Sequence, residues 1–425
     1  MPSVVDLNDD ARARDAWRVA PLLLAAGLLA AAIGLSPGRV ETFLTLQWVA
    51  GDMRRAVQAI RVVALLGAAA TLFWRHRVSR ALRNLRARDV LAGAALFVIS
   101  TSAALVVAEL VLRYKGYPFS GSWTPSETAL ARFDDTLGWS YRAGLTTAQP
   151  IGRPRVMVTM TFDSAGIRVD RPGHVFSRTA PTILFIGDSF TFGHGVDYDS
   201  AFPARVERLL GGRVQAVNLG VQGFGTDQSL LALLRHIDAF NTRLVVYTYL
   251  RDHLSRNDNY DRRMLYPVGR WLGSKPLFGV RPDDSAYLRR RPLPIADLGR
   301  LHLLQVAQLV WTRWGPQPDP RLTTALVREV KRVCDARGVP LLVVNWTRQD
   351  PGHTGLSRVW NEPPDAEILG GAQVEVLDLG LNAPPDWTSW RIPGDGHPTP
   401  QAHQRVAGLI AQWVETHDSA LARGR

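Results

Sequence analysis

The sequence predicts a helical membrane region followed by an α/β domain built on a parallel sheet. Long charge-free apolar runs lie within residues 1–115, whereas short runs rich in β-formers alternate with helical patterns from residue 181 onward. Such alternation is typical of parallel sheets that carry helices on both faces. We therefore expect about three transmembrane helices before the α/β domain.

Three stretches of the membrane region are candidate spans: about 19–38, 56–74 and 90–112. The first is long enough, because about 20 residues at ~1.5 Å per residue match a hydrocarbon core of about 30 Å. The second contains Arg61 near its start, where a long side chain can reach the head groups. The third begins with a charge-free run from Val90 to Ala108.

The arginines between these stretches predict an orientation. Six arginines lie between residues 75 and 88, directly after the second candidate span. Because positively charged loops remain in the cytoplasm, we expect a cytoplasmic N-terminus and an exported chain after Tyr114. The protein is then a multi-pass protein of the bacterial inner membrane, with its α/β domain in the periplasm or outside the cell.

The net charge of +12 would suit a nucleic-acid-binding protein, but its distribution argues against that class. Residues 1–115 hold 15 Lys and Arg against 8 Asp and Glu, a balance of +7. Residues 116–425 hold the remaining 35 against 30, a balance of +5, with no basic stripe of interleaved aromatic residues. We expect no nucleic-acid partner.

The exported part divides into three predicted regions. Residues 116–180 are a linker with a small β lead-in, 181–418 form the α/β domain, and 419–425 are a tail. Residues 252–320 are an insertion, too long for an ordinary connection, that could cap a site, contact a partner or present arginines to solvent or lipid. The predicted strands of the domain are 182–187, 214–219, 244–250, 339–346 and 374–379, and its predicted helices are 199–211, 226–239, 321–337 and 400–417.

The first predicted strand of the domain ends in Gly187-Asp188-Ser189, directly before a helical pattern. This order places the Ser189 hydroxyl at the carboxyl edge of the sheet, near the backbone N–H groups of a helix N-terminus. Those N–H groups can stabilise an oxyanion. A serine in this position can act as a nucleophile when a histidine supplies the base.

Two later blocks complete a candidate site. Asp395 and His397 lie on one loop before the last predicted helix, and together with Ser189 they could close a catalytic triad. Asp378 and Asp386 are alternative acids. Between the two blocks, Asn218-Leu-Gly-Val-Gln-Gly223-Phe-Gly-Thr226 follows the second strand, and its glycines allow a backbone N–H to approach a substrate oxygen.

In this order, the three blocks resemble those of the SGNH (GDSL) hydrolase family, over about residues 181–425. The resemblance implies a flavodoxin-like, three-layer core. It also implies that Ser189 is the nucleophile, His397 the general base and Asp395 the acid that orients it. Gly223 and Ser189 would donate backbone N–H groups to the oxyanion.

The family has one more block, which follows the third strand and is named the third block, and this chain departs from its pattern. Where Gly-x-Asn-Asp is usual, the third strand runs into Arg251-Asp252-His253, and Asn257-Asp258 follows six residues later. Arg251 is therefore a further candidate for the oxyanion, and His253 could also replace the missing donor. Asp188, Trp387, Trp390 and His253 are candidate substrate-binding residues. No histidine spacing suggests a metal site, and a hydrolytic triad needs no cofactor.

The resemblance and the predicted location together imply an exported serine esterase, or an O-acyl (acetyl) transferase, acting on a cell-envelope or exported polysaccharide. A lipid esterase or lysophospholipase would use the same triad. A non-catalytic SGNH-fold protein of polysaccharide assembly is a third alternative. The expected partners are an ester-bearing carbohydrate or lipid and the membrane, and a transferase would also need a membrane protein that supplies acyl groups.

Overall fold

The structure is a computed structural model. It describes residues 19, 21–36, 51–83, 87–115, 127–260, 272–294, 302–303, 306, 318–346, 365–379 and 390–417. The chain divides into two compact units. One consists of Met1–Pro118 with Leu301–Ala307, and the other of Phe119–Arg300 with Gln308–Arg425.

The first unit is helical in its described part. Its helices are α1 (Pro21–Gly34), α2 (Gly51–Phe73), α3 (Arg75–Arg83) and α4 (Ala87–Lys115). Within α4, the 21 residues Ala95–Lys115 are long and apolar enough to cross a membrane, and none of the most apolar part of this stretch is buried. Side chains such as Leu96 and Phe97 are exposed along it. A surface of this kind suits contact with lipid.

The prediction of three spans is not supported by the described helices, of which one is both long and apolar enough to cross a membrane. Helix α1 is shorter than a span, and residues 20 and 37–38 of the first predicted span lie outside the described residues. Helix α2 is long, but its apolar part begins at Gln58, after Arg54 and Arg55. The apolar part Gln58–Phe73 falls short of the roughly 20 residues that a span needs.

The second unit begins with small antiparallel β-structure. After α5 (Glu127–Leu130), strands β1 (Ala131–Asp134) and β2 (Gly138–Tyr141) form a hairpin. Strands β3 (Thr146–Ile151), β4 (Val156–Phe162) and β5 (Arg168–Val169) form a second sheet. Their buried aromatic side chains pack against the loops of the central sheet, in a cluster that includes Trp139, Tyr141, Phe162, Phe192 and Phe224.

The central sheet has five parallel strands, which confirms the predicted parallel α/β architecture. The strands are β6 (Pro181–Ile186), β7 (Gln215–Asn218), β8 (Asn241–Tyr249), β11 (Leu341–Asn345) and β12 (Glu375–Asp378). Their spatial order is β12-β11-β8-β6-β7, which is the 2-1-3-4-5 order of flavodoxin-like folds. In this order the chain reverses direction across the sheet between β6 and β8, and ligands bind at such switch points.

Apolar residues alternate along these strands and bury both faces of the sheet. One face, with Ile183 and Val246, packs on α7 (Phe202–Leu209) and α12 (Pro400–His417). The opposite face, with Leu184 and Val245, packs on α8 (Thr226–His236), α10 (Pro320–Asp335) and α11 (Asp365–Gly371). The domain therefore has three layers, and each predicted strand and helix of the core overlaps an observed one.

Part of the predicted insertion is described. It begins with the short helix α9 (Asp252–Asn257) and includes a hairpin of β9 (Leu277–Val280) and β10 (Ala286–Arg290). Helix α9 packs against α8 and α10, so the start of the insertion belongs to the core of the domain. Residues 261–271, 295–301 and 307–317 lie outside the described residues.

Candidate active site

The turn after β6 places Ser189 at the first position of the short helix α6 (Ser189–Phe192). Asp188 caps this helix, since its Oδ1 accepts a hydrogen bond from the Phe190 N–H (2.9 Å). Gly187 has a φ of 151°, and a Cβ there would lie 2.2 Å from Thr191 Oγ1, so the turn requires glycine. Ser189 thus lies at the carboxyl end of β6, at the switch point of the sheet.

His397 reaches Ser189 from the loop before α12. Its Nε2 lies 2.8 Å from Ser189 Oγ, although the two residues are 208 positions apart in sequence. The loop folds back on itself through hydrogen bonds from Ile392 N to His397 O (2.8 Å) and from Asp395 N to Ile392 O (3.1 Å). This tight turn brings Asp395 and His397 to the edge of the sheet together.

Asp395 holds the other nitrogen of His397. The distance from Asp395 Oδ1 to His397 Nδ1 is 2.6 Å, and the same oxygen accepts the His397 backbone N–H (3.2 Å). The proton of the imidazole therefore lies on Nδ1, which leaves Nε2 as an acceptor for the Ser189 hydroxyl. Burial opposes ionisation of Asp395, but hydrogen bonds from His194 and His397 outweigh it and hold its pKa well below the ordinary value.

The alternative acids do not contact His397 in the described structure. Asp378 lies at the end of β12, where its Oδ2 accepts a hydrogen bond from Asn345 Nδ2 (2.8 Å). Asp386 lies outside the described residues.

A second histidine contacts the same carboxylate, and the sequence patterns did not indicate it. His194 is buried, and its Nε2 lies 3.4 Å from Asp395 Oδ2. The centroids of the His194 and His397 rings are 4.5 Å apart. Burial and the neighbouring His397 lower the pKa of His194, although Asp395 opposes this effect.

These residues also form a candidate metal-binding group by spacing. The donor atoms of His194, Asp395 and His397 all lie within 4.8 Å of one another. However, both nitrogens of His397 already have partners in Asp395 and Ser189. A metal ion would have to displace one of them, so we interpret the group as a hydrogen-bond relay.

The loop after β7 lies beside the Ser189 turn. Val221 N donates to Gly187 O (3.2 Å), and Asn218 Nδ2 donates to Thr191 O (2.9 Å). Gly223 in this loop has a left-handed φ of 74°, and its N–H donates to no acceptor among the described residues. The Ser189 N–H opens α6 and has no preceding turn to donate to. Both predicted oxyanion donors are thus available to a ligand.

The β1–β2 hairpin fixes the orientation of the Gly223 N–H. Trp139 Nε1 donates to Gln222 O (3.0 Å), and Gln222 N donates to the Tyr141 hydroxyl (3.1 Å). Because the peptide bond is planar and trans, a Gln222 carbonyl held by Trp139 directs the Gly223 N–H to the opposite side. The lead-in region therefore supports the site as well as linking the two parts of the chain.

The side chain of Arg251, which follows the third strand where the family has an asparagine, is engaged with another residue. Its Nε lies 3.0 Å from Asp365 Oδ1, and its side chain is 46% exposed. Asn257 is also engaged, since its Nδ2 donates to Thr226 Oγ1 and Thr323 Oγ1, both at 2.9 Å. The guanidinium is held through Nε by a buried carboxylate on α11, and the oxyanion role of Arg251 stays a prediction.

Asp188 and His253 lie beneath the candidate site instead of lining it. Both side chains are fully buried, and His253 Nδ1 hydrogen-bonds to the Tyr247 hydroxyl (2.8 Å). Burial opposes ionisation of Asp188, but the charge of Arg256 and the nearby His253 lower its pKa well below the ordinary value. We therefore revise the substrate-binding role expected of both residues, because neither presents surface to a ligand.

Two further arginines brace the loops, and neither was indicated by a motif. Arg256 Nη1 donates to Asp188 Oδ2 (2.6 Å) and to Phe224 O (2.9 Å), so it joins the first and second blocks. Arg168 of β5 is buried and donates to three carbonyl oxygens at and just after the end of α6, those of Phe192, Gly193 and Val196, at 2.7–2.8 Å. Burial lowers the pKa of Arg168 to about 10.

A narrow aromatic crevice runs beside the triad. Phe190, Trp346 and Trp390 line it, together with residues next to His397 in sequence. The Phe190 ring is 5.1 Å from that of Trp346 and 5.5 Å from that of His397. The predicted wall residue Trp390 is half-buried here, whereas Trp387 lies outside the described residues.

No protein-family model and no curated protein matches this sequence. Among solved structures, the chain is similar to a lipase/acylhydrolase from Enterococcus faecalis, with 12% identity and a TM-score of 0.34. The match covers 56% of this chain and 96% of the other. It is also similar to a GDSL-like lipase from Bacteroides thetaiotaomicron, with 11% identity, a TM-score of 0.32 and coverage of 55% and 88%.

Proposed function

We propose that this protein is a serine ester hydrolase of the SGNH type. The observation that carries the proposal is the hydrogen-bonded series from Ser189 Oγ to His397 Nε2 and from His397 Nδ1 to Asp395 Oδ1. This arrangement prepares a serine for attack on an acyl carbon. The available N–H groups of Ser189 and Gly223 supply an oxyanion site beside it.

The reaction follows from these positions. His397 Nε2 takes the hydroxyl proton as Ser189 Oγ attacks the ester carbonyl, and the oxyanion of the tetrahedral intermediate accepts hydrogen bonds from the Ser189 and Gly223 N–H groups. His397 then returns the proton to the leaving alcohol, which departs and leaves the acyl group on Ser189. Water, activated by the same imidazole, releases the acid in the second half of the reaction.

A short acyl group, such as acetyl, fits the described surroundings best. The crevice beside His397 is narrow and walled by Phe190, Trp346 and Trp390, which leaves little room for a long chain. Trp390 keeps part of its ring exposed beside the crevice and would supply a face for a sugar ring as the alcohol part. We therefore propose an O-acetylated polysaccharide of the cell envelope as substrate. A sugar hydroxyl in place of water would make the protein an O-acetyltransferase, served by a membrane partner that supplies acyl groups.

We also propose that the first unit anchors the enzyme to a membrane. The support is the exposed apolar stretch Ala95–Lys115 of α4 and the four arginines of the neighbouring helix α3. By the positive-inside rule, an arginine-rich α3 on the cytoplasmic side would leave the α/β domain on the outer side. Cysteine substitutions at Ser79 and Ser177, probed in intact cells with a thiol reagent that does not cross the membrane, would test this orientation.

Ester hydrolysis by the full-length protein in detergent is the direct test of the function. We expect turnover of p-nitrophenyl acetate to exceed that of the octanoate ester, and Ser189→Ala to abolish both. A preference for the octanoate would support the lipid esterase alternative. Absence of both turnover and Ser189 labelling by a fluorophosphonate would overturn the hydrolase proposal and support a non-catalytic role.

A further inference from the structure

His194 and the nucleophile belong to one rigid segment. Helix α6 ends at Phe192 and is capped by Gly193 with a left-handed φ of 78°, and His194 N donates to Ser189 O (2.9 Å). A Cβ at Gly193 would lie 2.6 Å from Ala201 Cβ, so the segment has little freedom to move. The position of His194 is therefore set by the same short helix that sets Ser189.

The two imidazoles share one carboxylate. Asp395 presents Oδ1 to His397 (2.6 Å) and Oδ2 to His194 (3.4 Å). The second contact is long, as contacts in unliganded catalytic sites often are. With both oxygens engaged, rotation of the carboxylate about its terminal bond would cost one of the two contacts.

Gln222 determines which nitrogen of His194 carries the proton. Its side-chain amide nitrogen contacts His194 Nδ1, so the amide donates and Nδ1 accepts. The proton of a neutral His194 then lies on Nε2, which faces Asp395. If Nδ1 carried the proton instead, the lone pair of Nε2 would face the Asp395 carboxylate, which is unfavourable. A doubly protonated ring is disfavoured because His194 is buried near His397 and Arg168.

We propose that His194 is a positioning residue for the triad. Its Nε2–H holds Asp395 Oδ2 so that Oδ1 remains aligned with His397. The inference deepens the proposed function and rests on it. It also connects the three blocks, because Gln222 precedes the oxyanion residue Gly223, His194 follows the nucleophile helix, and Asp395 belongs to the last loop.

Two substitutions at His194 separate the hydrogen bond from the packing. In His194→Gln, the side-chain amide nitrogen can replace Nε2 as donor, whereas His194→Phe keeps a ring and loses the donor. We expect His194→Phe to lower kcat by about 10–100-fold with little change in KM, as substitution of supporting residues behind reactive groups commonly does. His194→Gln should retain most of the activity. The matched control is His236→Phe, near the opposite end of α8 from the site.

Activity and the rate of Ser189 labelling by a fluorophosphonate are measured in parallel on the full-length protein, with thermal unfolding as the check on folding. If the wild type is labelled but turns over no ester, the proposed substrate is wrong. The labelling rates of the variants would then still test the positioning role of His194. Equal rates in His194→Phe and the wild type would overturn the inference. Equal losses in the Gln and Phe variants would overturn it too, because packing alone would then explain both.

Discussion

Arg256 and Asp188 form a buried ion pair, 2.6 Å between Nη1 and Oδ2, directly beneath the nucleophile. The same guanidinium nitrogen donates to Phe224 O (2.9 Å). One side chain of α9 therefore connects the cap of the nucleophile helix with the loop that presents Gly223. In the family pattern, an asparagine of the third block completes the oxyanion site. Here the third block contributes a cation that holds the other two blocks together.

This ion pair gives a prediction for stability. Arg256→Met leaves the Asp188 carboxylate buried without a cation, and loss of one partner of such a pair costs about 3–5 kcal/mol. Denaturant unfolding of Asp188→Asn, Arg256→Met and the double variant would measure the coupling. We expect the double variant to be more stable than Arg256→Met, because the uncompensated charge is gone. A double variant as unstable as the single one would contradict this explanation.

The acid of the triad can be assigned by a paired substitution. Asp395→Asn leaves His397 without its carboxylate and should lower kcat by a factor on the order of 10³–10⁴. Asp378→Asn serves as its control, because that carboxylate bonds to Asn345 on the neighbouring strand. Combined with Ser189→Ala, Asp395→Asn should add almost no further loss, since the residues act as one unit. An equal loss in both Asn variants would exclude Asp395 as the triad acid.

The oxyanion role of Gly223 can be separated from its backbone strain. Gly223→Ala and Gly173→Ala place a side chain at similar left-handed φ values of 74° and 76°. Each should cost about 1–2 kcal/mol of stability. Only the first should lower kcat, by roughly ten- to a hundredfold, because it displaces an N–H that stabilises developing charge. Steady-state kinetics with p-nitrophenyl acetate decide this, and equal kcat values in the two variants would refute the role.

The contact between Asp134 and Arg235 predicts a dependence of stability on acid pH. Burial opposes ionisation of Asp134, but Arg235 and the N–H groups of Leu137 and Thr136 lower its pKa from 3.8 to about 2. A carboxyl group whose pKa is lower in the folded state stabilises the fold at pH values above its unfolded-state pKa. This stabilisation is lost as the pH falls towards the folded-state pKa of about 2. At neutral pH the gain is about 1–2 kcal/mol after screening, since Arg235 is partly exposed.

Asp134→Asn removes this stabilisation, so the variant should have a lower free energy of unfolding than the wild type at pH 6. This difference should shrink as the pH is lowered to 3. Denaturant melts at several pH values measure the deficit. The exposed acid Asp199, paired with Arg208 on the surface, provides the control Asp199→Asn, which should show almost no deficit. A deficit at Asp134 that stays constant over this range would show that the ion pair is not its source.

Local patterns were sufficient to predict the central fold. Each core strand is a short apolar run, and the buried residues alternate between the two faces of the sheet, as at Ile183 and Leu184. The membrane region was predicted less well. Apolar composition alone suggested three spans, whereas one of the described helices is long and apolar enough to cross a membrane.

The sequence by itself determined the nucleophile turn, the order of the three blocks and the order of strands and helices. These are local properties, because turn chemistry and apolar periodicity act over a few residues. The tertiary structure decided which acid contacts His397, that Arg251 bonds to Asp365, and that His194 and Arg256 support the site. Asp395 and His397 are two positions apart, but the contacts of Arg251, His194 and Arg256 join residues tens to hundreds of positions apart. Such contacts depend on how packed layers bring loop ends together, which no short sequence pattern encodes.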